Sequence, residues 1–150
     1  MDGLKVYADS TQFIVIAMGD EYFGIDINLI DNIVKMQHIT RVPNVAPYIK
    51  GVINLRGEVL PVMSLRLKMG LEEDVFSKST RIIIIRLEHQ GMVGFIVDEV
   101  KEVLTLENAA IEKVGYDSKE VREGFVYAVG NYGESLVSLL DMNTVALEKE

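Results

Sequence analysis

Lys50-Gly51-Val52-Ile53-Asn54-Leu55-Arg56-Gly57-Glu58-Val59-Leu60-Pro61-Val62 sets a polar knot between two apolar runs. Runs of branched apolar residues around a short glycine-bearing break predict a β-hairpin, with Arg56 at its tip. Gly51 and Gly57 bracket the knot, and glycine takes positive φ or a close backbone approach at little steric cost. A guanidinium is planar, always charged and carries five donors, so a turn that presents one between apolar strands reads as a recognition point. The plain alternative is that Arg56 pairs with a carboxylate or solvates the hairpin end. Pro61 lacks an N–H, which predicts an edge strand or a bulge for the second run.

Outward from this hairpin the chain reads as short strands. Residues 1–11 are polar and predict a loose arm. Phe13 to Met18 and Glu21 to Ile25 flank Gly19-Asp20 as a first hairpin. Asp26 is a good N-cap, and Ile27, Ile30, Ile33 and Val34 recur at helical spacing, so a short amphipathic helix is expected there, with Asn28, Asp31, Asn32 and Lys35 outward. Residues 37–47, with Pro43 and Pro47, are irregular. Ser64 can cap a helical turn over Leu65–Met69 that stops at Gly70. Residues 72–80 form a polar connector. Arg81 to Leu87 is a strand too apolar to have a wet face and must be covered on both sides. Met92 to Val97 returns after the turn at 88–91. An irregular stretch follows from Leu106 to Glu123, then a third hairpin, 124–129 and 135–140, with 130–134 between. Asp141 can cap a C-terminal helix that turns Met142, Val145 and Ala146 inward.

A faint internal echo links the halves. Apolar residues stand six, nine and ten places after Gly24 (Ile30, Ile33, Val34) and at the same offsets after Gly94 (Val100, Val103, Leu104). This falls below the self-similarity of a repeat protein, yet it predicts two lobes of related plan. These hairpins and a few short helices give a mainly β fold whose strands close into barrels to remove exposed edges.

The totals exclude several classes of function. The chain has 150 residues, 49% hydrophobic and 25% charged, which is globular and too apolar for disorder. A net charge of −8 with scattered basic residues opposes general nucleic-acid binding. No cysteine is present, which removes disulfides, thiol nucleophiles and thiolate metal sites. The longest uncharged runs are ten residues, about half of what a spanning helix needs. With no basic and apolar leader at the N-terminus, the expectation is a cytoplasmic protein without membrane insertion.

Enzyme constellations are thin. His38 and His89 belong to no metal-spaced pair, and the dinucleotide, P-loop and hydrolase-elbow motifs are missing. The run Asp117-Ser118-Lys119-Glu120 lacks the spacing of a calcium loop. Asp26, Asp98 and Asp141 each close a strand, where capping explains them. The remaining catalytic alternative is an acid–base pair of Asp26 and Asp98 in a β-barrel enzyme. No catalytic residue, cofactor or metal is expected otherwise.

Three segments carry a resemblance that runs nearly end to end. They are Tyr22-Phe23-Gly24-Ile25-Asp26-Ile27, then Pro47-Tyr48-Ile49-Lys50-Gly51-Val52-Ile53-Asn54-Leu55-Arg56-Gly57 with Leu60-Pro61-Val62, and Val93-Gly94-Phe95-Ile96-Val97-Asp98. The sequence resembles CheW-like chemotaxis coupling proteins, adaptors that join methyl-accepting chemoreceptors to the histidine kinase CheA. The resemblance implies one domain over residues 1–150, built as two intertwined five-stranded β-barrel lobes around a shared apolar core, non-catalytic and recruited to membrane receptor arrays. It implies that a groove between the lobes takes the cytoplasmic tip of the receptor, with Ile30, Asn32, Gly51, Asn54, Arg56 and Gly57 as receptor-binding residues. It implies contact with the regulatory domain of CheA near Ile82 and Val93. Relatives often carry glutamate where this chain has Asn32, with Asp31 beside it as a substitute, and Asp or Asn where it has Ser64. The length leaves no room for a kinase or receiver domain. A CheW-like adaptor of another array, such as one for surface motility, is the alternative within the same fold.

Overall fold

The computed structural model describes residues 9–113 and 124–147. Eleven strands form among them: β1 Ser10–Met18, β2 Glu21–Asp26, β3 Ile30–Lys35, β4 Ile49–Leu55, β5 Glu58–Ser64, β6 Arg81–Leu87, β7 Gly91–Val97, β8 Glu99–Glu107, β9 Glu112–Lys113, β10 Val126–Tyr132 and β11 Ser135–Leu140. Two short helices follow β5 and β11, α1 at Leu65–Lys68 and α2 at Met142–Val145. The strands pair in two sheets, ordered β8-β1-β2-β11-β10-β9 in lobe one and β3-β6-β7-β5-β4 in lobe two.

Two crossings intertwine the lobes. After the β1–β2 hairpin the chain leaves its sheet, and β3 pairs antiparallel with β6; after the β6–β7 hairpin it returns, and β8 pairs antiparallel with β1. Each sheet then repeats one plan, in which a hairpin strand joins a second hairpin through a parallel pair. Gly24 faces Leu139 in one such junction and Gly94 faces Val62 in the other. Both junctions require glycine. A Cβ on Gly24 would lie 2.8 Å from Leu139 Cδ2, and one on Gly94 2.9 Å from Ile82 Cγ2.

Alternate residues of the same strands serve different cores. Ile83 and Ile85 of β6 enter a central cluster between the sheets with Ile16, Phe23, Ile25 and Phe95. Their neighbours Ile82 and Ile84 enter a cluster inside lobe two with Ile53, Leu60, Val62 and Ile96. Phe13 and Val15 fill the corresponding cluster of lobe one with Leu106, Ala128, Val137 and Leu139. This double burial is the cover that the continuous apolar run of β6 demanded. Each such side chain contributes about 1.5–3 kcal/mol of burial.

The ladders have open orders, and each sheet curls so that its two ends meet through side chains. In lobe one Leu106 of β8 packs over Gly130 of β10, and the Tyr132 hydroxyl donates to Glu102 at 2.6 Å. In lobe two Val34, Met36 and Ile39 share the inner cluster with Leu55. The expected five-stranded barrels are therefore curled five-stranded sheets, with the two-residue β9 added to one edge.

Several expectations are corrected. The helix after Asp26 is a single 3-10 turn, Ile27–Leu29, followed by β3. Asp26 does cap it, accepting from the Asn28 N–H at 2.9 Å. The helix-like spacing comes from a β-bulge: Ile30 pairs with Ile85 and Asn32 with Ile84, leaving Asp31 as the extra residue. A bulge lets residues three apart share a face, so Ile30 and Ile33 both reach the central core. The same irregularity recurs in β8, where Val100 pairs with Ile16 and Glu102 with Val15, leaving Lys101 extra. The faint echo is thus a repeated bulge.

Pro61 lies on β5, an internal strand between β7 and β4 and so not an edge, but next to a bulge in the β4–β5 pairing, where Ile49 pairs with Met63 and Gly51 with Val62. Its missing N–H costs the ladder nothing. Val52, opposite Pro61, directs its own N–H and C=O to Thr40, at 2.9 Å each, and pairing of β5 with β7 begins only at Val62. Ser10 and Thr11, expected in the N-terminal arm, belong to β1; residues 1–8 lie outside the described residues. Leu106 and Glu107 belong to β8, and the third hairpin extends to Tyr132 with a two-residue turn. The stretch Asp117 to Glu120 lies outside the described residues.

Candidate functional site

The β4–β5 hairpin turns on two residues, Arg56 and Gly57, with φ of +54° and +83°. Two positive φ values define the turn whose twist matches a right-handed strand pair. Glycine fits the second position, but arginine at the first is a non-glycine residue in the left-handed region, which is uncommon. Asn54 holds the turn, its Oδ1 accepting the Gly57 N–H at 3.0 Å. Arg56 is exposed and forms no hydrogen bond or ion pair with the described residues. Pairing of Arg56 with a carboxylate is therefore not found among the described residues: Asn54 and Gly57 fix the backbone, and the guanidinium stands exposed at the hairpin end.

Gly51 is buried, with φ of +140°. Thr40 crosses β4 there and takes both backbone groups of Val52. Gly51 shapes the base of the hairpin and offers no side chain to a partner. On β3, Ile30 is half-buried against the central core, and Asn32 Oδ1 accepts the Ile33 N–H at 2.9 Å. Asp31, weighed as a substitute for glutamate at position 32, pairs with Arg86 at 3.0 Å. Strands β3 and β4 are opposite edges of their sheet, and the curl through Val34 and Leu55 draws those edges together.

The two lobes differ at this end. Counting 70 residues on from Asn32 gives Glu102, and 77 on from Leu55 gives Tyr132, the offsets that also relate Gly24 to Gly94 and Val62 to Leu139. In lobe one those two positions are tied together, and the bond to Glu102 pushes the Tyr132 hydroxyl up to about 12. In lobe two the same positions hold an amide and an aliphatic side chain, and the edges are held instead by the two Thr40–Val52 backbone hydrogen bonds and the packing of Val34 and Leu55 on one cluster.

A groove of about 460 Å³ runs between the lobes, lined by Ile49, Pro61, Met63, Gln90, Val93 and Ala146. Val93 forms its floor and is 2% exposed, and Ile82 is fully buried inside lobe two. Ile82 packs a core and Val93 supports the groove, so neither of the two side chains expected near the kinase contact is at the surface. Met63 and Gln90 carry no local signal in the sequence, and the convergence of the lining residues depends on the lobe crossing.

A second cleft, about 580 Å³, lies beside the hairpin base, with Arg41, Val42, Val45, Lys50, Asp74 and Phe76 in its walls. The Ser64 hydroxyl caps α1 by accepting the Leu67 N–H at 3.2 Å and donates to Asp74 Oδ2 at 2.5 Å. Asp at position 64 could not make that second bond. Asp74 Oδ1 is buried without a hydrogen-bond partner among the described residues, and burial raises the carboxyl above its ordinary range. A raised carboxyl pKa favours the neutral form in the folded state, so ionising Asp74 lowers stability as pH rises through and above the unfolded value of about 3.9. Asp74→Asn keeps an acceptor for Ser64 and removes this charge. Its stability relative to wild type should therefore increase between about pH 4 and 7 in urea titrations; a difference independent of pH would contradict this account of Asp74.

Asp26 and Asp98 serve separate structural partners. Asp26 caps its 3-10 turn, whereas Asp98 accepts from Arg66 at 2.7 Å and from the Gly19 N–H at 2.9 Å, tying α1 to the β1–β2 turn. Among the described residues no group of His, Asp and Glu could hold a metal ion, and no helix is long and apolar enough to cross a membrane.

The description "CheW-like domain" applies to the family that matches residues 12–150. The chain is 37% identical over 139 residues to the chemotaxis protein CheW of Bacillus subtilis, covering 93% of this chain and 88% of that protein. It is 36% identical over 134 residues to the chemotaxis protein CheW of Helicobacter pylori, covering 89% and 80%. The crystal structure of the scaffolding protein TtCheW from Thermoanaerobacter tengcongensis superimposes with a TM-score of 0.84 at 27% identity, covering 93% of this chain and 95% of that one.

Proposed function

This chain belongs to the CheW-like domain family, and from that premise we propose that it is a non-catalytic chemotaxis adaptor, one domain that couples methyl-accepting chemoreceptors to the histidine kinase CheA at the membrane receptor array. The observation that carries the proposal is Arg56, a guanidinium without a partner among the described residues, held out by a turn that Asn54 and Gly57 fix. The receptor tip, a helical hairpin, takes the inter-lobe groove in the helix-in-groove manner. Arg56 and Asn54 give it polar contacts at the tip of the β4–β5 hairpin, with Asn32 and Ile30 on β3, the opposite edge of the same sheet. Gly51 and Gly57 act through backbone shape. The regulatory domain of CheA contacts exposed sheet surface, since Ile82 and Val93 lie inside. Neither contact needs to be tight, because an array supplies many at once.

Co-sedimentation with receptor-bearing membranes and purified CheA tests the proposal. The expected result is recovery of the chain with membranes and, through it, of additional CheA. Failure to bind either partner would sink the reading, and capture of a different receptor and kinase pair would move the chain to another array.

A further inference from the structure

Lys68, the last residue of α1, is 7% exposed. Its ammonium donates to the Leu147 carbonyl at 2.7 Å, lies 4.2 Å from the centroid of the Tyr48 ring and 5.7 Å from that of Phe125. Taking an ammonium out of water is expensive, and such a position persists when ring faces and carbonyls replace the lost hydration. Tyr48 immediately precedes Ile49, which lines one side of the inter-lobe groove, and Leu147 immediately follows Ala146, which lines the other. The site has no copy in lobe one, because the position 77 residues on from Lys68 is Val145.

We propose that Lys68 is a positioning residue that sets the width of the groove by tying the Tyr48–Ile49 wall to the Ala146–Leu147 wall. The receptor readout rests on the adaptor reading above, whereas the second readout, hydrogen exchange, does not. Lys68→Met keeps the aliphatic stem and removes the charge. It should weaken binding to receptor-bearing membranes about fivefold while leaving CheA binding unchanged. Amides of residues 142–147 should exchange faster, with those of β6 and β7 unaltered. Lys68→Arg, which keeps the cation but not the compact ammonium, should recover part of the binding. Unaltered exchange at 142–147 in Lys68→Met, or equal loss of receptor and CheA binding, would overturn the proposal. If Lys68→Met does not fold, Tyr48→Leu removes the ring face and retains the ammonium; normal exchange at 142–147 in that variant would overturn it equally. Absence of wild-type binding to receptor membranes would fail the adaptor reading alone, and the exchange result would still decide the role of Lys68.

Discussion

Gly51→Ala should destabilise the protein by about 3 kcal/mol or more, the largest effect expected of any single methyl group in the hairpin. Two independent causes add at this position. A Cβ there would stand 2.1 Å from the Thr40 carbonyl oxygen, and the backbone holds φ of +140°, which side chains rarely adopt. The obstacle is backbone, fixed by two hydrogen bonds to Val52, so it cannot yield as a side-chain tip would. Relief requires releasing Thr40, which opens the edge of β4 and the base of the Arg56 hairpin together. Gly57→Ala is the matched control, because φ is also positive there but nothing lies within 4 Å. Its cost should be about 1 kcal/mol. Urea midpoints with unchanged slopes would measure both, and comparable losses in the two variants would contradict the role assigned to Thr40.

Arg56→Ala should have the opposite profile. The side chain is exposed and without a partner among the described residues, so stability should change by less than about 0.5 kcal/mol. Binding to receptor membranes should fall about tenfold or more, in the range of an interface anchor. Arg56→Lys should recover only part of it, because an ammonium cannot reproduce a planar fork of donors. Loss of stability equal to the loss of binding would mean that Arg56 braces the hairpin after all.

Much of the fold is legible in the sequence because the hairpins announce themselves locally. Gly19-Asp20 and Arg56-Gly57 each sit between apolar runs, and Ser64 and Asp141 cap the helices that follow. The misread helix after Asp26 shows the limit of periodicity: a bulge at Asp31 gives Ile30 and Ile33 the spacing of a helix turn, and only pairing with Ile82–Ile85 makes the segment a strand. Pro61 misled for a related reason, since whether a missing N–H matters depends on where Val52 spends its own hydrogen bonds. At the site, Asn54, Arg56 and Gly57 form one local unit and could be read together. The run around Ile82 is too apolar for a wet face, so its burial is legible, whereas a strand buried on both faces has no alternation to show which cluster each residue enters. Lys68 left a trace that is visible in retrospect. It follows Leu65 by three residues and precedes Met69, both fully or nearly buried, so a helix turn sets it on the inward face.

The most direct test is CheA autophosphorylation in receptor-bearing membranes as the chain is titrated in. The account predicts that kinase activity rises with the wild-type chain, saturates, and stays near the receptor-free level with folded Arg56→Ala. No stimulation by the wild type, or equal stimulation by the variant, would contradict the claim that this protein couples receptor to kinase through the Arg56 hairpin.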